Sequence, residues 1–213
     1  MRFDSAPRVL ITGAAGGVGR DCANLLAQMG AELILCDNDS KALASASEAL
    51  GAVGRFCDVS SEASVTVLAA DIMQAYPALD MVINAAGGGY ERTLGMYRVS
   101  RALLPVLRRG EGHSLLINIP PVGEEIDQAI FPYASSDQAF RRLSSALAAE
   151  TRGTTIRVLN ASLQSGQVAE VVPDPNAASW PEEPTQGKVG DHLEALAWNI
   201  ASLLSPRRHA RRA

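Results

Sequence analysis

Arg8-Val9-Leu10-Ile11-Thr12-Gly13-Ala14-Ala15-Gly16-Gly17-Val18-Gly19 decides the fold. A β-rich apolar run ends in glycines, and a helical pattern starts at Val18. Cys22, Leu25, Leu26 and Met29 then recur at the spacing of one helix face. Each glycine has its own task in such a junction. Gly13 permits the sharp turn out of the strand, Gly17 lets backbone approach a pyrophosphate, and Gly19 lets the helix pack closely on the sheet. Thr12 closes the strand and Val18 opens the helix, whose free N–H groups and positive dipole end suit phosphates. A glycine pattern alone is weak, but one held between strand and helix points to a dinucleotide. The plainer alternative is a glycine-rich turn with no ligand.

The same alternation continues outward. Strands are expected at Glu32–Cys36, Val53–Cys57, Leu79–Asn84, Ser114–Ile119 and Thr155–Asn160. Helices are expected between them, at Ser40–Leu50 with Ser40 as cap, from Ser60-Ser61-Glu62 to about Tyr76, at Thr93–Arg109, at Phe131–Arg152 and at Asp191–Leu204. Strands alternating with helices of this length predict an α/β fold. It is one doubly wound Rossmann-like domain of about six parallel strands with helices on both faces. The domain is expected over residues 1–206. The proline-rich, aperiodic stretch 166–190 reads as a long loop or lid, and 207–213 as a basic, disordered tail.

Asp37 follows the second strand, 18 residues after Gly19. A carboxylate there accepts hydrogen bonds from both hydroxyls of an adenosine ribose and repels a 2′-phosphate. NAD is therefore expected over NADP. A solvated turn aspartate within Asp37-Asn38-Asp39 is the alternative.

Composition narrows the function classes. The chain has 213 residues, a net charge of −4, 47% hydrophobic and 20% charged residues. This is an ordinary globular balance, with no basic face for nucleic acid. No apolar run is long enough to span a membrane and no signal-peptide core precedes the first strand, so a cytoplasmic protein is expected. Cys22, Cys36 and Cys57 lack Cys-x-x-Cys spacing and read as buried free thiols, with no metal site. The basic end, Arg207 to Arg212, reads as a solvated tail or a site for an anionic partner.

Further motifs complete a pattern. Thr12-Gly13…Gly17-x-Gly19 is followed by Asp37, Asp58-Val59, Asn84-Ala85-Ala86-Gly87, Arg101-Ala102-Leu103-Leu104-Pro105, Asn118-Ile119, Tyr133 and Ile156-Arg157-Val158. In this order the chain resembles the short-chain dehydrogenase/reductase family from about Val9 to Asn160. The resemblance implies that Asp58 and Val59 frame the adenine. It implies that Asn84 steadies the central strands, with Ala85, Ala86 and Gly87 beside the cofactor ribose. It also implies a homodimer or homotetramer through the long helices. Met96, Leu103, Phe140, Leu143 and Leu147 would line that seam or, equally, the sheet.

The catalytic set departs from the family. Its members use an Asn-Ser-Tyr-Lys set in which tyrosine is the acid or base at the substrate oxygen and lysine lowers the tyrosine pKa. Here Tyr133 is retained. The lysine position is Asp137, the serine position falls on Pro120 or Pro121, and the relay asparagine becomes Arg92. An anion one helical turn from a tyrosine opposes tyrosinate, where a cation favours it. Asp137 reads as a ribose acceptor or as a solvated partner of Arg141. Glu124, Glu125 and Asp127 read as a solvated loop, as a contact for a cationic substrate or as general bases. The linker Gly88-Gly89-Tyr90-Glu91 is short for the family, and its final strand is not evident in the sequence.

The expectation is an NAD(H)-binding protein of this kind. One reading is a divergent oxidoreductase on a small alcohol or carbonyl, with Tyr133 catalytic. Another is an impaired relative serving as sensor, scaffold or partner subunit. A third is a fold reused for non-redox chemistry.

Overall fold

The computed structural model describes residues 6–87, 89–110, 113–120, 136–164 and 167–173. Twelve elements alternate along these segments. They are β1 (Arg8–Thr12), α1 (Gly17–Gln28), β2 (Glu32–Asp37), α2 (Ser40–Leu50), β3 (Val53–Phe56), α3 (Glu62–Ala75), β4 (Met81–Asn84), α4 (Gly89–Leu107), β5 (Ser114–Asn118), α5 (Ser136–Glu150), β6 (Ile156–Gln164) and β7 (Gln167–Pro173). The sheet order is β3-β2-β1-β4-β5-β6-β7. Strands β1 to β6 pair in parallel, as the alternation predicts.

One expectation needs correction. Residues 167–173 were expected within a long loop, but they form β7, antiparallel to β6 with a register shift between Ser162 and Leu163. Short-range pairing with the preceding strand outweighed the lack of sequence periodicity. Gln167-Val168-Ala169-Glu170-Val171-Val172 also carries the β-branched residues that suit a strand. Residues 174–190, the helix expected at 191–204 and the basic tail lie outside the described residues.

Strands β1, β2, β4 and β5 are buried on both faces along most of their length, which is why they read as unbroken apolar runs, whereas the edge strand β3 is largely exposed. On one face Val9, Ile11, Leu33, Leu35, Ile83 and Ile117 meet Cys22 and Leu26 of α1 and Leu43 and Ala46 of α2. On the other, Leu10, Ile34, Val82, Leu116 and Val158 meet Val65, Leu68 and Ile72 of α3 and residues of α4 and α5. Met96, Leu103, Phe140 and Leu147 are buried in that second layer, with Leu143 packed against it. Of the two readings those five residues left open, the sheet-facing one holds.

The helix ends are set locally. Asp39, rather than Ser40, caps α2, and its side chain accepts from Lys41 N and Ala42 N. Ser61 caps α3 through Ser64 N. A polar row crosses the sheet beneath its carboxyl edge, with Thr12, Asn84, Asn118 and Asn160 in adjacent register. Asn84 Nδ2 donates to Ser100 Oγ and to Asn118 Oδ1, both at 2.9 Å. Asn118 Nδ2 donates to Ser144 Oγ at 3.2 Å, and Ser144 Oγ to Asn160 Oδ1 at 2.6 Å. Buried polar groups must find partners. These bonds therefore peg α4, through Ser100, and α5, through Ser144, to fixed positions on the sheet.

Candidate cofactor site

The chain order reverses between β1 and β4, and a cavity of about 540 Å³ opens at the carboxyl ends of these strands. This is where open α/β sheets bind ligands. The glycine junction forms one wall. Gly13 has φ 66°, and a Cβ on it would stand 2.7 Å from Ala86 Cα. A Cβ on Gly19 would stand 2.2 Å from the Gly13 carbonyl oxygen, so α1 reaches the turn only because that position is glycine. A Cβ on Gly16 or Gly17 would meet nothing within 4 Å, and both line the cavity with Val18 at the start of α1. Backbone N–H groups at a helix start, open space before them and a close-packed turn behind fit a pyrophosphate.

Asp37 is fixed in place by backbone. Its Oδ2 accepts from Ala15 N at 3.0 Å and its Oδ1 from Asp39 N at 3.1 Å. The carboxylate thus ties the glycine turn to the end of β2 while lining the cavity. A carboxylate has about four acceptor sites, so two remain for ribose hydroxyls.

The opposite wall is the turn after β3. Asp58 Oδ1 accepts from Ser60 N at 3.0 Å and from Ser60 Oγ at 2.6 Å. Asp58 and Val59 line the cavity. Helix α4 presses on this turn, since a Cβ on Gly95 would stand 2.6 Å from Val59 O, and Arg98 Nη1 donates to Ser60 O at 3.0 Å.

Ala85, Ala86 and Gly87 line the cavity after β4, with Ile119 and Pro120 after β5. Thr12, Gly19 and Asn84, the other candidate cofactor residues, stand behind the wall. Thr12 Oγ1 accepts from Ala85 N at 3.3 Å and Ala86 N at 3.4 Å, shaping the strand end that lines the cavity. Asn84 is 2% exposed, and its buried Oδ1 has no hydrogen-bond partner among the described residues.

Sequence reading missed Asn38, Asp39, Ala42 and Cys57 as lining residues. The signal for Asn38 and Asp39 was their position beside Asp37. Cys57 is concealed by its apolar context, and burial pushes its thiol up despite the Ser64 hydrogen bond. All three cysteines are free and buried, as expected from their spacing. Tyr133, Pro121 and the acidic loop 124–127 lie outside the described residues, as do the side chains of Arg92 and Asp137. Pro120, by contrast, one of the two prolines on which the resemblance's serine position falls, stands in the cavity wall. Among the described residues no cluster of side chains suits a metal ion and no helix is long and apolar enough to cross a membrane.

Comparisons with known proteins identify the family. The model of the short chain dehydrogenase family matches residues 7–169. An L-fucose dehydrogenase of Oryctolagus cuniculus is 31% identical over 196 residues, covering 80% of this chain and 68% of its own length. A rhamnolipids biosynthesis 3-oxoacyl-(acyl-carrier-protein) reductase of Pseudomonas aeruginosa is 31% identical over 183 residues, covering 73% of this chain and 72% of its own. Among solved structures, the Pseudomonas aeruginosa RhlG/NADP active-site complex superposes with a TM-score of 0.60 at 27% identity, covering 70% of this chain and 67% of that one. An actinorhodin polyketide ketoreductase with NADPH gives a TM-score of 0.61 at 26% identity, covering 75% and 70%. With the family model spanning well over half of its residues, the chain belongs to the short-chain dehydrogenase family, whose members bind nicotinamide cofactors.

Proposed function

We propose that this chain binds NAD(H) in the cavity between β1 and β4 and serves as a divergent oxidoreductase on a small alcohol or carbonyl. The observation that carries the cofactor assignment is the Asp37 carboxylate, held by Ala15 N and Asp39 N inside the cavity. Ribose hydroxyls complete its acceptor capacity, whereas a 2′-phosphate meets a fixed negative charge. Gly13, Gly17 and Val18 with the start of α1 would hold the pyrophosphate. Asp58 and Val59 would frame the adenine, and Ala85, Ala86 and Gly87 would lie along the second ribose. When bound, the nicotinamide supplies the hydride acceptor or donor. Tyr133 is then the protein's acid or base. The relatives' names include a sugar dehydrogenase and acyl reductases, which supports a hydroxyl or carbonyl substrate.

A second reading is an NAD(H)-binding relative with impaired turnover, acting as sensor, scaffold or partner subunit. Pro120 in the cavity wall favours it, because proline offers neither hydroxyl nor N–H to a substrate oxygen. Assembly as a homodimer or homotetramer through α4 and α5, and a cytoplasmic setting, belong to both readings.

Calorimetric titration with NADH tests the cofactor assignment. Asp37→Ala should weaken binding about tenfold, by losing charge-assisted hydrogen bonds. An unchanged affinity would remove Asp37 from the ribose site. A turnover screen of alcohols and carbonyls then separates the two readings. Binding without turnover selects the second, and turnover that survives Tyr133→Phe would exclude Tyr133 as the acid or base.

A further inference from the structure

We propose that Asp39 is a second determinant of coenzyme choice, excluding a 2′-phosphate by occupying the N-terminus of α2 as well as by its charge. This rests on the NAD(H) reading above. The start of α2 faces the same cavity as Asp37, with Asn38, Asp39 and Ala42 all in its lining. An uncapped helix start there would be an anion site, with free N–H groups and a positive dipole end beside the adenosine ribose. Asp39 fills that site from within. Its Oδ1 accepts from Lys41 N at 3.0 Å and from Ala42 N at 2.9 Å. The two N–H groups best placed to receive a phosphate are thereby consumed by a carboxylate of the chain.

The arrangement is rigid. Asp39 N donates to Asp37 Oδ1 at 3.1 Å, which holds the Asp37 carboxylate at the start of α2, while the Asp39 carboxylate is held by Lys41 N and Ala42 N. Among the described lining residues the charged side chains are Asp37, Asp39 and Asp58, with no lysine or arginine to balance a further phosphate. A like charge brought against fixed carboxylates is rejected. Asp37 alone would penalise the 2′-phosphate. Asp39 withholds the alternative donors as well.

Two substitutions separate the parts. Asp39→Asn keeps a good capping side chain and removes only the charge, while Asp39→Gly removes the charge and frees the Lys41 and Ala42 N–H groups. The measurement is the ratio of NADPH to NADH dissociation constants, by titration of the full chain, with melting temperature as a check on folding. The ratio should fall about tenfold in Asp39→Asn and further in Asp39→Gly, and the change should shrink as salt rises. A ratio unchanged in both variants, with wild type still binding NADH, overturns the role of Asp39 and leaves the cofactor assignment intact. Wild type that binds no NADH, or binds NADPH more tightly, overturns both.

Discussion

The two sides of the cavity differ in what their walls are made of. On the side of β1, β2 and β3, polar groups are fixed by backbone. Asp37 accepts from Ala15 and Asp39, Asp39 caps α2, and Asp58 holds Ser60. On the side of β4 and β5, the described wall is Ala85, Ala86, Gly87, Ile119 and Pro120. Polar groups are plentiful there too, but they are buried in the Asn84–Asn118–Asn160 row, where they hold α4 and α5 to the sheet. Nucleotide binding draws on backbone N–H groups, a helix dipole and one strand-end carboxylate, which many sequences supply. Acid–base chemistry needs particular side chains at particular positions. The first side keeps its requirements in this chain. At the positions where the family resemblance implies asparagine, serine and lysine, the sequence has Arg92, Pro120 or Pro121, and Asp137.

The sharpest way to break this comparison is at Gly19. Gly19→Val puts a side chain where even a Cβ stands 2.2 Å from the Gly13 carbonyl oxygen. The helix start must then move off the turn. NADH affinity should fall by more than about 100-fold, with a loss of about 1–3 kcal/mol in denaturant unfolding from overpacking. Retained affinity would mean that the glycine turn does not hold the phosphates.

The next prediction tests the other side. Asp137→Lys combined with Pro121→Ser puts a cation four residues after Tyr133 in the sequence and a hydroxyl after β5. Turnover on a carbonyl or alcohol panel should rise about 100-fold, in line with general acid–base catalysis, and Tyr133→Phe should abolish the gain. No rise would show that this side has lost the shape of the substrate pocket and not merely its reactive groups.

The smallest effect concerns pH. All three cysteines lie on the β1–β3 side of the molecule, and burial, aided by Asp21, pushes the Cys22 thiol from 9.0 up to about 12. Its folded pKa is raised, so its contribution to stability is full below pH 9 and is lost as pH climbs toward 12. Urea unfolding at pH 8 and pH 10.5 should differ by about 1–2 kcal/mol from this thiol, and Cys22→Ala should flatten that slope. Equal slopes for the two proteins would place the alkaline loss elsewhere.

Much of the fold could be read from the sequence because its signals are local. The junction from Arg8 to Gly19, the apolar strands and the helical stripe of Cys22, Leu25, Leu26 and Met29 each lie within a few residues. The cavity wall was legible for the same reason at Gly13, Gly17 and Asp37. Strand β7 was not, because its evidence is its pairing with β6 and a segment without alternation gives no sign of a partner. Asp39 was visible only as a turn residue, since a cap and a cavity wall become distinct from a solvated aspartate once α2 is set against β2. The sheet-facing role of Met96, Leu103, Phe140, Leu143 and Leu147 likewise stayed open, because helical periodicity defines an apolar face without naming what covers it.

By itself, then, the sequence determined the class of fold and the glycine turn with its strand-end carboxylate, and it shows Asp137 four residues after Tyr133. These are properties of residue type and spacing along the chain. Tertiary structure alone decided the rest. It aligned Thr12, Asn84, Asn118 and Asn160 across four strands, brought Asp37 and Asp39 together on one cavity, and set Pro120 in its wall. Asp37 and Asp39 are neighbours in sequence, but the other positions are far apart along the chain, and only the pairing of strands and the packing of helices brings them together.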